Sequence, residues 1–370
     1  MIIGILKEIK KDENRVAITP AGAEIMKQNG HSVLVQTGAG TSSGFDDAAF
    51  TRAGAEILDT PAAIFSRAEM ILRVREPHPG EFGHLRAGQI YFSYLHLAAS
   101  EPVTRALIDS GVIAIAYETV QKTDGSLPLL APMSEVAGPM AIQEGAKYLE
   151  MAQGGHGVLL GGVPGVDPAS VLILGGGKVG INAARVACGL GAKVHVLDMN
   201  LERLRYLSDV MPPNCFLQMA SPAAIRELIK NADIVVGAAL IPGSRTPTLI
   251  SRDMLHTMKR GAVLIDVAID QGGCFETSRE TTHADPTYIL DGIVHYAVGN
   301  MAGALPRTST IALTNATLMY ALEIANKGWR EAMKTNPELR RGANVVNGTV
   351  TFQAVAETFG LEFTPIDELL

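Results

Sequence analysis

The run VLILGGGKVG at residues 171–180 decides the fold. Four apolar residues, the content of a buried strand, lead straight into Gly175, Gly176 and Gly177, and an apolar-periodic window follows over 179–190. A strand, a tight turn and a helix therefore succeed one another directly. Glycines at 175, 177 and 180 let the backbone turn sharply, approach a pyrophosphate and pack helix on strand. The next strand, over 193–197, runs into Asp198, 18 residues beyond Gly180. A carboxylate there accepts hydrogen bonds from adenine-ribose hydroxyls and repels a 2′-phosphate, so the spacing predicts NAD rather than NADP. Gly175, Gly177, Gly180 and Asp198, with Lys178 and Val179 in the same turn, form the expected cofactor-binding set. Alone, GxGxxG is a weak signal that an ordinary strand-helix turn also satisfies; the preceding strand, the following helix and the acid at the next strand end favour the dinucleotide.

The same rhythm extends outward. Short β-branched runs at 2–6, 33–36, 70–74, 90–94 and 112–117 alternate with amphipathic windows, and further runs follow at 233–237 and 263–267. Thr19 can cap a helix that begins with Pro20, and Asn29 with Gly30 can stop it. We expect an α/β chain with two doubly wound, mostly parallel sheets. A helical window at 133–151 without a strand of its own reads as a connector and leads into a Gly/Pro-rich stretch at 154–168. After Pro306 a helical window runs to about residue 327, and the tail beyond is too short for a separate domain. The expected division is 1–130 plus 306–370 for one domain and 131–305 for an inserted Rossmann domain.

Composition narrows the function classes. A chain of 370 residues, 47% hydrophobic and 19% charged, is not disordered, and its net charge of −7 lacks the basic surplus that draws nucleic acid or anionic membrane. A small-molecule partner is expected. The first apolar run reaches charge at Lys7, too soon for a signal-peptide core, and nowhere do 18 apolar residues run together, so the expected address is the cytoplasm. Cys188, Cys215 and Cys274 are odd in number and form no CxxC or Cys/His cluster. They read as buried apolar residues, with neither a disulfide framework nor a metal site expected.

Four residues outside the glycine turn stand where open α/β sheets place ligands, or close to it. His96 follows the strand at 90–94, although a histidine among apolar neighbours is more often a satisfied core residue. Asp270 follows the strand at 263–267 with Gly272 and Gly273 behind it, which also suits a plain turn. Arg15, in KKDENRVAITP, is either a solvated arginine or a carboxylate clamp, and Arg75, in ILRVREP, closes a strand where a rim ion pair with Glu76 is the simpler role. Singly, none of the four is decisive.

Together the segments KEIKKDENRVAITPAG, YLHLAAS, AIAYETVQ, LPLLAPMSEVAG, LILGGGKVGINAARVA, IDVAIDQGGCFETSRETTHADPTY and ALPRTSTIALTNATL resemble the L-alanine dehydrogenase family. The resemblance implies a catalytic substrate domain holding an inserted NAD domain, assembly into hexamers, and oxidative deamination of L-alanine to pyruvate and ammonia. It implies that Arg15 and Arg75 bind substrate, that His96 binds the substrate oxygen and moves a proton, and that Asp270 assists ammonia and water chemistry. It adds Ser134, Arg203, Leu240, Arg279 and Asn300 to the cofactor set. The chain departs from the family pattern at Arg75, usually lysine, at Pro139, commonly arginine, at Ala220, often serine, and in NMAGALP for NMPGAVP. Two other readings stay open: a related NAD-dependent 2-oxo-acid or imine reductase, and a nucleotide-binding module like the soluble part of proton-translocating transhydrogenase.

Overall fold

A computed structural model describes residues 1–239 and 246–370. The described chain divides into two compact units, Met1–Met133 with Gly303–Leu370, and Ser134–Ala302. The division falls within a few residues of 130/131 and 305/306. Strands β1 (Ile2–Ile5), β2 (Ser32–Gln36), β3 (Glu56–Leu58), β4 (Met70–Leu72), β5 (Ile90–Ser93) and β6 (Ile113–Ala116) belong to the first unit. The second holds β7 (Ser170–Leu174), β8 (Lys193–Asp198), β9 (Cys215–Met219), β10 (Ile234–Gly237), β11 (Val263–Asp266), β12 (Thr287–Leu290) and β13 (Ile293–Tyr296). The chain then returns to the first with β14 (Ala343–Val346) and β15 (Thr349–Val350).

The first sheet has the order β15-β14-β6-β5-β4-β1-β2-β3, and β1 to β6 pair in parallel. Its strands are apolar on both faces because helices cover both. Ile3, Ile5, Val33, Val35, Met70, Leu72, Phe92 and Ile115 join one core cluster, while Leu34, Ile71, Tyr91 and Ala114, at the alternate positions, join another. Leu313, Leu322 and Ile324 of the helix Pro306–Lys327 pack into the first of these cores, so the tail does return to this unit. Thr19 caps the helix Pro20–Gln28, its Oγ1 accepting from Gly22 N. The loop before it is tied down by the returning helix: Thr310 Oγ1 accepts from Val16 N and Thr314 Oγ1 from Thr19 N, both at 3.1 Å.

The second sheet has the order β12-β13-β11-β10-β7-β8-β9 and is parallel except for the β12–β13 hairpin. From β7 the chain builds outward through β8 and β9, then starts again with β10 on the other side of β7. The carboxyl end of β7 is therefore the topological switch point, where sheets of this kind bind ligands. The helix Ala131–Tyr148, expected over 133–151, spans the 133/134 division and contains Pro139. At Gly138 it meets the helix Lys178–Gly189 so closely that a Cβ would lie 2.4 Å from the Val179 carbonyl oxygen. Cys188 and Cys274 are buried as expected; Cys215 is only half-buried, at the start of the edge strand β9.

Candidate functional site

The glycine turn lies at that switch point, and each glycine has its own reason. Gly175 has φ +108°, and a Cβ on it would sit 2.8 Å from the Ala238 carbonyl oxygen. At Gly180 a Cβ would fall 1.8 Å from the Gly175 carbonyl oxygen, so only glycine lets the helix Lys178–Gly189 begin here. A Cβ at Gly177 would meet nothing within 4 Å, which leaves the backbone ahead of the helix open to approach. Lys178 is exposed and Val179 half-buried in the first turn.

Asp198 Oδ2 accepts from Gly176 N at 2.7 Å and its Oδ1 from Asn200 N at 2.8 Å. These bonds orient the carboxylate beside the turn, and each oxygen retains a lone pair for a hydroxyl. Arg203 donates through Nε to the Gly176 carbonyl at 2.5 Å, with its guanidinium 5.0 Å from the Tyr206 ring. The turn, the anion-favouring helix start and the oriented carboxylate together fit an adenine dinucleotide. Ser134 is half-buried on the helix Ala131–Tyr148, Ala220 is half-buried just after β9, and Leu240 lies outside the described residues.

Elsewhere in this unit, Asp270 is exposed on the turn Ile269–Gln271, and its Oδ2 accepts from Asn300 N at 3.4 Å. Asn300 is held at φ +56°, its carbonyl 3.2 Å from His283 Nε2. Arg279 is exposed and lies over the Tyr288 ring, 4.2 Å from its centroid. The buried member of this region is Asp266, at the end of β11. It accepts from Cys274 N at 2.8 Å and Ser278 Oγ at 2.5 Å, and burial raises its pKa against those lowering bonds. Asp266 ties the two ends of the loop that carries Asp270, a role the sequence reading missed.

In the first unit, Arg15 is not a solvated arginine: it is 2% exposed. Its Nε donates to Glu13 Oε1 at 2.7 Å and its Nη2 pairs with Glu13 Oε2. Burial pushes the Glu13 carboxyl up, but the charge and hydrogen bonds of Arg15 outweigh it and hold it below the usual carboxylate range. Arg75 is half-buried, with Nε 3.2 Å from Glu76 Oε2, and Glu76 is also paired with Lys10 at 2.7 Å. The backbone amides of Val74 and Arg75 donate to Glu8 Oε1 at 2.8 and 3.3 Å. Behind them Arg73, 1% exposed, joins Glu8 to Glu81. His96 lies beyond β5 at φ +47° with 43% of its side chain exposed, which removes the reading of a satisfied core histidine. Its neighbours are Glu118 and the Tyr94 ring, the latter 6.1 Å away and nearly parallel.

Tyr94 links these residues. Its hydroxyl donates to the Leu129 carbonyl at 2.6 Å, and burial pushes the phenol upward, opposed by the positive charges of Arg15 and Arg75 and helped by the negative charges of Glu118 and Glu13. The charges of Arg15 and Arg75 thus both act on this buried phenol, and the His96 ring lies 6.1 Å from it. Tyr94, Glu13 and Glu118 were not singled out in the sequence. A signal for Glu118 exists: β5 and β6 are adjacent, so residues just past their ends come together.

The fold and its glycine turn define a two-unit α/β protein with a Rossmann-type unit. The descriptions "Alanine dehydrogenase/PNT, N-terminal domain" and "Alanine dehydrogenase/PNT, C-terminal domain" match residues 4–137 and 141–353, and the chain belongs to this family. An alanine dehydrogenase of Methanococcus maripaludis is 54% identical, with all of both chains covered. A solved L-alanine dehydrogenase superposes with TM-score 0.94 at 45% identity over 97% of this chain and 99% of its own. A transhydrogenase from Sinorhizobium meliloti shares the fold at TM-score 0.82 and 24% identity, covering 96% of this chain and 100% of its own.

Proposed function

We propose that the chain is an NAD-dependent L-alanine dehydrogenase, interconverting L-alanine with pyruvate and ammonium. The observation that carries the reading is an exposed His96 held at a strand end next to Tyr94, a phenol that feels the charges of Arg15 and Arg75, in a chain 54% identical over its whole length to a protein named alanine dehydrogenase. NAD+, when bound, accepts the hydride that leaves the substrate Cα. The glycine turn and Asp198 hold it, with Ser134, Arg203, Arg279 and Asn300 as further contacts. Arg15 and Arg75 supply positive charge to the substrate carboxylate, and Glu13 fixes the Arg15 guanidinium. Hydride departs only as the nitrogen sheds a proton and shares its lone pair, so a neutral base must be at hand. His96 is that base, an exposed imidazole able to accept a proton at a ring nitrogen, and it binds the substrate oxygen when water adds to the imine carbon. Asp270 assists the release of ammonia. The reading includes a cytoplasmic homohexamer; among the described residues no helix is long and apolar enough to cross a membrane.

The test is NADH formation from L-alanine and NAD+ within a panel of amino acids. NADH from alanine supports the assignment. NADH from another amino acid alone makes the chain a dehydrogenase of different substrate, and none in either direction removes the reading. The same assay with NADP+ should give a specificity constant lower by on the order of 10²-fold, because a 2′-phosphate would meet the Asp198 carboxylate. Equal constants would remove the role given to Asp198.

Arg75 sets a second expectation. A guanidinium clamps a carboxylate well but stays protonated, so it leaves proton handling to His96. Arg75→Lys should raise alanine turnover several-fold. A slower lysine variant would show that position 75 only grips the carboxylate.

A further inference from the structure

We propose that Glu118 is a positioning residue for His96: its carboxylate pins the loop that carries the histidine and faces Nδ1 of the ring, leaving Nε2 as the working nitrogen. The proposal rests on the reading of His96 given above. β5 and β6 are parallel neighbours with Ser93 opposite Ala116, so the segments leaving their carboxyl ends start level. His96 and Glu118 each lie within three residues of those ends, on adjoining strands. Glu118 Oε1 accepts the backbone N–H of His96 at 2.6 Å and that of Leu95 at 3.1 Å, and it lies 4.0 Å from His96 Nδ1.

Each of these contacts has a consequence. A left-handed φ of +47° is sparsely populated by residues other than glycine and persists only where the surroundings hold it. Two amides bonded to one charged oxygen supply that hold, because hydrogen bonds to an ionised acceptor are stronger than neutral ones. The Tyr94 ring, 6.1 Å from the imidazole and inclined by 13°, bounds its other flank. Negative charge on the Nδ1 side favours the tautomer protonated there, and the lone pair then sits on Nε2. Substrate-facing geometry matters at this scale, since a misplacement of about 1 Å can cost about 10²-fold in rate.

Glu118→Gln keeps an acceptor oxygen for the two amides and removes the charge; Glu118→Ala removes both. Nitrogen NMR of the histidine rings reads the tautomer, with the His96 signals identified by their loss in His96→Asn. The expected result is an Nδ1-protonated neutral ring in the native protein and a shift toward the Nε2-protonated form in Glu118→Gln. Alanine turnover should fall about tenfold in Glu118→Gln and about 10²-fold in Glu118→Ala, with KM for NAD+ unchanged. A native tautomer in Glu118→Gln overturns the proposal whatever the kinetics, and so does native turnover in either variant. Should Glu118→Ala fail to fold, Glu118→Gln alone decides. If the native chain oxidises no amino acid, the proposed function fails, while the tautomer measurement still judges Glu118.

Discussion

Replacing His96 by alanine is expected to lower alanine turnover by about 10² to 10⁴-fold while NAD+ affinity stays within a factor of two, because a positioned acid/base contributes that much to the chemical step alone. The partners of the imidazole, Glu118 and the Tyr94 ring, belong with His96 to the first unit, whereas the glycine turn belongs to the second. Alanine at φ +47° also carries backbone strain, which could lower activity by itself. His96→Asn separates the two effects, since asparagine tolerates the left-handed region yet cannot exchange protons near neutrality. Equal losses in both variants identify the imidazole as the working group. Near-native turnover in His96→Asn, under conditions where deuterium at the alanine Cα slows the reaction, would make His96 a structural residue and leave the proposed chemistry without its base.

The second large effect concerns stability. Arg73→Met is expected to cost about 3 to 5 kcal/mol, because it strands Glu8 and Glu81 together in the interior of the first unit. Both carboxylates keep backbone donors, Val74 N at 2.8 Å for Glu8 and His78 N at 2.8 Å for Glu81, but these do not cancel two buried charges. Trp329 is the chain's one tryptophan and packs against the core of this same unit, so its fluorescence in a urea titration reports the relevant transition. Arg67→Met serves as the control. Its pair with Glu56 is 2.7 Å long but open to water at both ends, and its loss should leave the midpoint where it was. The sign of the pH dependence follows from Glu8, whose carboxyl burial already raises, against the lowering influence of Arg73. A raised carboxyl binds its proton more tightly in the folded chain, so stability is gained as pH falls and lost as pH rises through the folded value. The deficit of Arg73→Met should therefore shrink toward acid pH. A deficit that is small and flat with pH would mean that the interior tolerates the two carboxylates unaided.

Much of the parallel framework was legible because it is written in long periodic segments. The helix Pro306–Lys327 occupies the residues its pattern predicts, and the glycine turn stands between strand and helix as its spacing requires. What escaped was short or depended on a neighbour. β3 has three residues, one of them exposed, and β9 exposes Phe216, Gln218 and Met219 at a sheet edge, so neither shows a buried run. Two hairpins did carry a signal that went unused. Asp291-Gly292 joins β12 to β13 and Asn347-Gly348 joins β14 to β15, with both residues of each pair at positive φ. Such dipeptides between apolar runs are the strongest short-range mark of an antiparallel turn. The site divided along the same line. His96, Arg15 and Asp270 stand out as residue types at strand ends or in loops, but Glu8 meets Arg73 across 65 residues and Glu118 meets His96 across 22, pairings that no local window contains.

The position of β14 has a consequence for synthesis. It lies between β6 and β15 and pairs antiparallel with β6, and the bond from Asn344 Nδ2 to Thr119 Oγ1 joins residues 225 apart in sequence. A growing chain emerging from the ribosome therefore offers the β6 edge unpaired throughout the translation of the inserted unit. That unit uses only contiguous sequence and can close on itself as soon as it has been made. For that interval the nascent protein carries a finished Rossmann unit attached to a sheet with an open edge, the surface most able to pair with a neighbouring chain. The hazard ends when the last strands are released and complete the sheet that was begun first.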